Sequence, residues 1–224
     1  MQTIETNTPE LQQGLALQYL VRPASAATIQ PKAIILLHGV GSNEQDLFSL
    51  AQLMPDDFIV ISPRGPYTLA AKRYAWYEVD FATGKPLINA AQEAQIRNTI
   101  ADFIAQVKTT YKVDDVYLGG FSQGAIMSYT IGLLLPAAVA GILAFSGRIL
   151  SEIRPLVKPG EELQQLNVFI SHGTQDATLP VQYAREAKTY LQELGVEPTY
   201  HEYPAGHQLN NQMLTDMVTW LQQK

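Results

Sequence analysis

Gly120-Phe121-Ser122-Gln123-Gly124, a serine with glycine two residues to either side, is the stretch of this chain best suited to chemistry. An apolar, strand-like run, Val116-Tyr117-Leu118-Gly119, precedes it, and Ala125-Ile126-Met127 opens an apolar, helix-like run behind it. A serine on a sharp strand-to-helix turn lifts its hydroxyl above a sheet and holds it there with strained backbone angles. Glycine at both flanks suits that turn, because a Cβ at either position would crowd the neighbouring strand or helix. The chemistry open to such a serine is nucleophilic attack. A hydroxyl is a weak nucleophile at neutral pH, so it needs a base, and the base needs an orienting carboxylate.

Sites built on an elbow of this kind take their partners in the chain order serine, aspartate or glutamate, histidine. That order screens the four histidines. His38 lies before Ser122, and His172 comes before the best acid; both end apolar strands, are followed by glycine, and read as strand-end histidines with local hydrogen bonds. His201 falls inside the strand pattern Thr199–Tyr203, a poor place for a base that must reach a loop-borne serine. His207 follows Pro204-Ala205-Gly206, just past the last strand pattern, and is the expected base; a plain surface-loop histidine is the alternative. Asp176 and Asp216 are the aspartates after Ser122. Asp216 sits within the last helical pattern, past His207. Asp176 ends His172-Gly173-Thr174-Gln175-Asp176, directly after a strand, and is the expected acid. The competing reading is that Asp176 only caps a turn or the following helix.

Attack on an acyl carbon makes an oxyanion, which needs backbone N–H donors aimed at it. The residue after the nucleophile, Gln123, supplies one at a helix N-terminus. The second is expected from the glycine-bearing loop His38-Gly39-Val40-Gly41-Ser42, and the N–H of Val40 is the nominee.

These residues need a scaffold that carries strand ends to one rim. At 224 residues the chain can build a full α/β core, and with 46% apolar and 16% charged residues it is globular. Ala33–Leu37, Phe58–Ser62, Val116–Phe121, Ile142–Ser146 and Val168–Ser171 read as buried strands, and Thr199–Tyr203 as the last one. Leu15–Val21 alternates as an antiparallel edge strand would. Helical patterns cover Glu93–Val107, Gln123–Leu135, Val181–Leu194 (stopped by Gly195) and Gln208–Leu221. Strands separated by helices of about ten to fifteen residues imply βαβ units and a mainly parallel sheet. Val116 to Ala144 carries no charged side chain. Pro136 and the glycine turn divide that run, so it reads as strand, helix and strand at the centre of a parallel sheet, and not as a membrane span. A net charge of −6 with no Lys/Arg cluster argues against a nucleic-acid surface. With no cysteine, disulfides, thiolate metal sites and a cysteine nucleophile are excluded. Met1 to Glu10 carries two glutamates and no apolar core, unlike a secretory signal. No linker divides the chain, so residues 1–224 are expected to form one domain, with mostly parallel sheet, helices on both faces and no separate cap.

Taken together, the chain resembles the phospholipase/carboxylesterase family of α/β-hydrolases, which includes acyl-protein thioesterases and small carboxylesterases. The resemblance spans nearly the whole chain and rests on Leu36-Leu37-His38-Gly39-Val40-Gly41, Ser62-Pro63-Arg64-Gly65, Gly119-Gly120-Phe121-Ser122-Gln123-Gly124, Phe145-Ser146-Gly147, His172-Gly173-Thr174-Gln175-Asp176 with Pro180, and Gly206-His207. It implies hydrolysis of carboxylic esters or thioesters without metal or cofactor. It carries the family's triad onto Ser122, Asp176 and His207 and its oxyanion amides onto Val40 and Gln123. The segment Ala71–Gly84 matches the thioesterases' substrate loop only loosely. The expected partner is a small-molecule ester or thioester, the expected location cytoplasmic, and a homodimer is allowed for.

The irregular stretch Gly65–Ala90 holds Tyr67, Tyr74, Trp76, Tyr77 and Phe81. Trp76 and Tyr77 follow a strand on its carboxyl side, where α/β ligands bind, and are the expected wall of the acyl site; the alternative is that they only pack a long loop onto the sheet. Rival functions are a lysophospholipase or acyl-protein thioesterase, a peptidase or lactone hydrolase on the same scaffold, and a non-catalytic receptor. A dienelactone-type hydrolase would place cysteine in the elbow, a peptidase would need an added cap, and a receptor would tend to have lost the base or the nucleophile.

Overall fold

The computed structural model describes residues 9–80 and 87–224. Phe81 and most of the Met1–Glu10 segment lie outside the described residues. The strands are β1 Tyr19–Arg22, β2 Lys32–Leu37, β3 Phe58–Pro63, β4 Tyr67–Ala70, β5 Arg73–Ala75, β6 Val79–Asp80, β7 Leu87–Ile88, β8 Val116–Phe121, β9 Gly141–Phe145, β10 Asn167–Gly173 and β11 Thr199–Tyr203. The helices are α1 Glu44–Phe48, α2 Ala90–Tyr111, α3 Gln123–Leu134, α4 Glu161–Gln164, α5 Gln182–Glu193 and α6 Asn211–Gln222, with short 3₁₀ turns between some of them.

The main sheet has the order β1-β3-β2-β8-β9-β10-β11. Its strands from β3 to β11 run parallel, and β1 joins β3 antiparallel at one edge. Side chains alternate across a strand, so β2 feeds two cores. Ala33, Ile35 and Leu37 pack with Ile96, Ile100 and Phe103 of α2 and Met127 of α3. Ile34 and Leu36 face the other way, onto Leu47 of α1 and Met217, Trp220 and Leu221 of α6. Burial on both faces is why β2, β3, β8 and β9 read as near-continuous apolar runs. It also explains α3, whose residues from Gln123 to Leu133 are all buried and which therefore shows no polar face. By contrast α5 buries only Ala184, Ala187 and Leu191, one stripe of an amphipathic helix, and Gly195 follows it at φ +80°.

Two segments differ from their sequence reading. The edge strand begins at Tyr19, because Gln12 already bridges to Tyr19 and the intervening chain turns back. The stretch 65–90 contains two small antiparallel hairpins, β4-β5 and β6-β7, whose strands of two to four residues are too short to show a period. Among the described residues, these hairpins, and no helical cap, connect β3 to α2. The β4-β5 hairpin lies on the loop that leaves β2: Gly41 N–H donates to the Tyr74 carbonyl and Tyr74 N–H to the Ser42 carbonyl, both at 2.8 Å. Among the described residues, no helix is long and apolar enough to cross a membrane.

Candidate active site

Ser122 sits between β8 and α3 with φ 54° and ψ −115°, a left-handed region that L-residues rarely occupy. The turn closes tightly. A Cβ on Gly120 would overlap the Gly124 backbone, and one on Gly124 would overlap the Leu37 carbonyl on β2. Ser122 N–H donates to the Phe145 carbonyl of β9 at 2.9 Å, which pins the turn to the neighbouring strand.

His207 and Asp176 meet Ser122 there. The His207 Nε2 atom lies 2.9 Å from Ser122 Oγ, and His207 Nδ1 lies 2.7 Å from Asp176 Oδ2. The carboxylate can only accept, so Nδ1 carries the proton and the bare Nε2 accepts from the serine hydroxyl. The Asp176 side chain is fully buried, whereas that of His207 keeps 19% of its surface open. Asp176 also does what its competing sequence reading expected. Its Oδ1 accepts from Thr178 N–H at 2.9 Å and Leu179 N–H at 2.8 Å, closing the turn after β10. One oxygen is thus fixed by backbone and the other is presented to the imidazole. The loop bearing His207 is laced to that turn, with Thr174 N–H on the Tyr203 carbonyl at 2.8 Å and Gln175 N–H on the Ala205 carbonyl at 3.0 Å. The Phe121 ring packs against the imidazole, centroids 4.8 Å apart.

The loop leaving β2 runs beside the elbow: a Cβ on Gly39 would lie 3.5 Å from Ser122 Cβ. Gln123 is the first residue of α3, so its N–H has no acceptor within the helix. Val40 is 44% exposed in the adjoining loop. Among the described residues neither amide donates to a protein group.

The other histidines keep to structural positions. His38 is wholly buried; Gly65 N–H donates to its Nε2 at 3.0 Å, and its Nδ1–H donates to the Gly39 carbonyl at 2.8 Å. Burial pushes its pKa down, so it is the neutral ring that joins these two segments. His172 is buried against the acid turn, its Nε2–H donating to the Leu179 carbonyl at 2.6 Å. His201 lies between the Phe169 and Tyr203 rings. Asp216 accepts from the Tyr203 hydroxyl at 2.7 Å.

At the expected acyl wall, Trp76 and Tyr77 expose 0% and 1% of their surface, as the packing alternative expects. They belong to the buried core, and their backbone is engaged by Gln123: Trp76 N–H donates to Gln123 Oε1 at 2.9 Å, and Gln123 Nε2–H donates to the Tyr77 carbonyl at 2.7 Å. The side chain of Gln123 was missed by sequence reasoning, which used only its amide. The signal was a buried amide side chain in a run without charge, a group that must find partners.

Comparison with known proteins gives a consistent picture. The family model described as Phospholipase/Carboxylesterase matches residues 22–224. Carboxylesterase SOBER1 of Arabidopsis thaliana is 26% identical over 204 residues, covering 85% of this chain and 90% of that protein. Acyl-protein thioesterase 1 of Yarrowia lipolytica is 24% identical over 222 residues, covering 90% and 94%. The crystal structure of esterase PE8 superposes with a TM-score of 0.77 at 28% identity, covering 91% of this chain and 96% of that one.

Proposed function

Since this chain belongs to the phospholipase/carboxylesterase family of α/β-hydrolases, we propose that it hydrolyses carboxylic esters or thioesters of small to medium acyl chains through Ser122, His207 and Asp176. The observation that carries the assignment is the unbroken hydrogen-bond chain from Ser122 Oγ through His207 to Asp176. Ser122 attacks the acyl carbon while His207 Nε2 takes its proton. Asp176 holds the ring in the tautomer that leaves Nε2 bare and stabilises the imidazolium. The oxyanion is received by the N–H groups of Val40 and Gln123, and the dipole of α3 adds to the second. The alcohol or thiol leaves with the proton held on His207. Water, deprotonated by the same nitrogen, then releases the acid and frees Ser122.

The likeness to an acyl-protein thioesterase over 90% of the chain supports a second reading of the same site, a thioester substrate on a lipidated peptide. A cytoplasmic location and a single domain over residues 1–224 are part of the proposal.

The test is Ser122→Ala against a panel of acyl esters and thioesters of graded length. Loss of about a thousandfold or more in turnover, with the fold retained, is the expected result. Near wild-type turnover of p-nitrophenyl acetate would dispose of the assignment. A fluorophosphonate probe separates the enzyme from a receptor on the same fold, since only an activated serine is labelled.

A further inference from the structure

The segment Tyr74–Tyr77 is tied by five hydrogen bonds to the Val40 loop and to the side chain of Gln123. On one side it holds the Val40 loop. Gly41 N–H reaches the Tyr74 carbonyl, Tyr74 N–H reaches the Ser42 carbonyl, and the Trp76 indole N–H donates to the His38 carbonyl at 2.8 Å. These contacts bracket Val40 from both sides in sequence. On the other side the segment holds Gln123, whose side-chain amide bridges Trp76 N–H and the Tyr77 carbonyl at 2.9 and 2.7 Å. Trp76, Tyr77 and the Gln123 side chain are buried, so these bonds do not compete with water.

Val40 lies in the loop after β2 and Gln123 opens α3 after β8; the two backbones already touch where Gly124 meets the Leu37 carbonyl, and the Tyr74–Tyr77 segment ties them a second time, on the side of the two amides. Hydrogen-bond stabilisation of an oxyanion depends on the distance between the two amides, because both must point at one oxygen before it forms. We infer that Trp76 and the side chain of Gln123 are positioning residues that set the spacing of the two oxyanion amides, with the Tyr74–Tyr77 segment as the common strap. The inference rests on the serine-hydrolase reading above. It assigns Trp76 a role through its indole N–H and not through contact with substrate, and it explains why a glutamine follows the nucleophile when its catalytic contribution is a backbone N–H that any residue could supply.

Two variants test it. Trp76→Phe removes the donor to the His38 carbonyl and keeps most of the ring. Gln123→Met removes both side-chain bonds at nearly constant volume. Each is measured for kcat, KM, the number of sites labelled to completion by a fluorophosphonate, and the Ki of an alkyl boronic acid, whose adduct on Ser122 places an oxygen in the oxyanion site. The expected result is a fall in kcat per labelled site of about 10- to 100-fold, since a misplacement of about 1 Å can cost that much, with KM nearly unchanged. The boronate Ki rises by the same factor as kcat/KM falls. Wild-type turnover per labelled site in both variants overturns the inference, as does an unchanged boronate Ki alongside a lower kcat. If either variant is poorly folded, counting labelled sites restricts the comparison to molecules with a working nucleophile. Ser122→Ala run in parallel keeps the two claims apart. Its inactivity upholds the serine assignment whatever the strap variants do, and its activity would remove that assignment first.

Discussion

Replacing Asp176 with asparagine should abolish turnover while leaving the fold intact, and the structure says why. The Oδ1 atom of Asp176 accepts two backbone N–H groups, from Thr178 and Leu179. An asparagine must keep an acceptor there, so its oxygen takes that place and its NH₂ group faces His207. Flipping the amide would orphan both backbone donors, at about 1–3 kcal/mol each, or about 2–6 kcal/mol together. Each 1.4 kcal/mol is a factor of ten, so the unflipped form prevails by about thirtyfold or more. With an NH₂ donor against Nδ1, His207 must accept there and carry its proton on Nε2. That proton points at Ser122 Oγ, and the ring can no longer take the serine proton. The same tautomer reversal in a serine-protease triad costs about 10⁴ in kcat, equivalent to about 5.4 kcal/mol of barrier. The assay is steady-state hydrolysis of p-nitrophenyl acetate by Asp176→Asn, with a thermal melt on the same sample. The reasoning is refuted if the variant melts with the wild type and turns over within tenfold of it.

Other substitutions bear on the scaffold. Gly124→Ala places a Cβ on the Leu37 carbonyl, an overlap of backbone with backbone, and should destabilise by more than about 4 kcal/mol or prevent soluble expression, read by urea unfolding. Trp76→Ala should reduce hydrolysis by a similar factor for every ester from acetyl to octanoyl, since the ring is buried; a loss confined to long chains would return Trp76 to the acyl site. Hydrogen bonds from Arg185, at 2.8 Å to each carboxylate oxygen, and then from Tyr200 hold the Glu202 carboxyl down to about 2. A depressed carboxyl stabilises the fold above the ordinary glutamate range and loses that contribution as pH falls toward about 2. Because the pair lies near solvent, Glu202→Gln should cost only about 0.2–1 kcal/mol at pH 7, and its stability should converge with the wild type between pH 4.5 and 2 by chemical denaturation.

The elements beneath the site were legible because their sequence signals are physical necessities. Val116–Phe121 and Thr199–Tyr203 match β8 and β11 end for end, the first because a central strand is apolar on both faces. Ile96, Ile100, Phe103, Ile104 and Val107 are the buried face of α2, as their spacing says, although Asn89 caps the helix earlier than the apolar spacing begins. The last helix starts at Asn211 and not at Gln208, because Asn210 is its cap, accepting from Met213 N–H; residues 204–209 form a bent, non-helical loop that carries His207. What could not be read was contact across the fold. Nothing local to Trp76 distinguishes a ring that lines a pocket from one that donates to His38, since both uses favour a large aromatic with one polar atom.

Chain order in the triad is a record of how far each residue must lean. Ser122 follows β8, Asp176 follows β10, and His207 follows β11, so the base starts three strands from the nucleophile. At about 4.8 Å per strand that is about 14 Å, too far for a side chain to span. The loop after β11 must therefore run back across the end of β10. Gly173, the last residue of β10, lets it do so: a Cβ there would overlap the Ala205 carbonyl and crowd that of Gly206, the two residues before His207. The bonds from Thr174 and Gln175 to Tyr203 and Ala205 then fasten the crossing loop in place. Hence the glycine after His172 belongs to the reach of the base, and the acid lies between base and nucleophile because the strand that carries it is one the loop must cross.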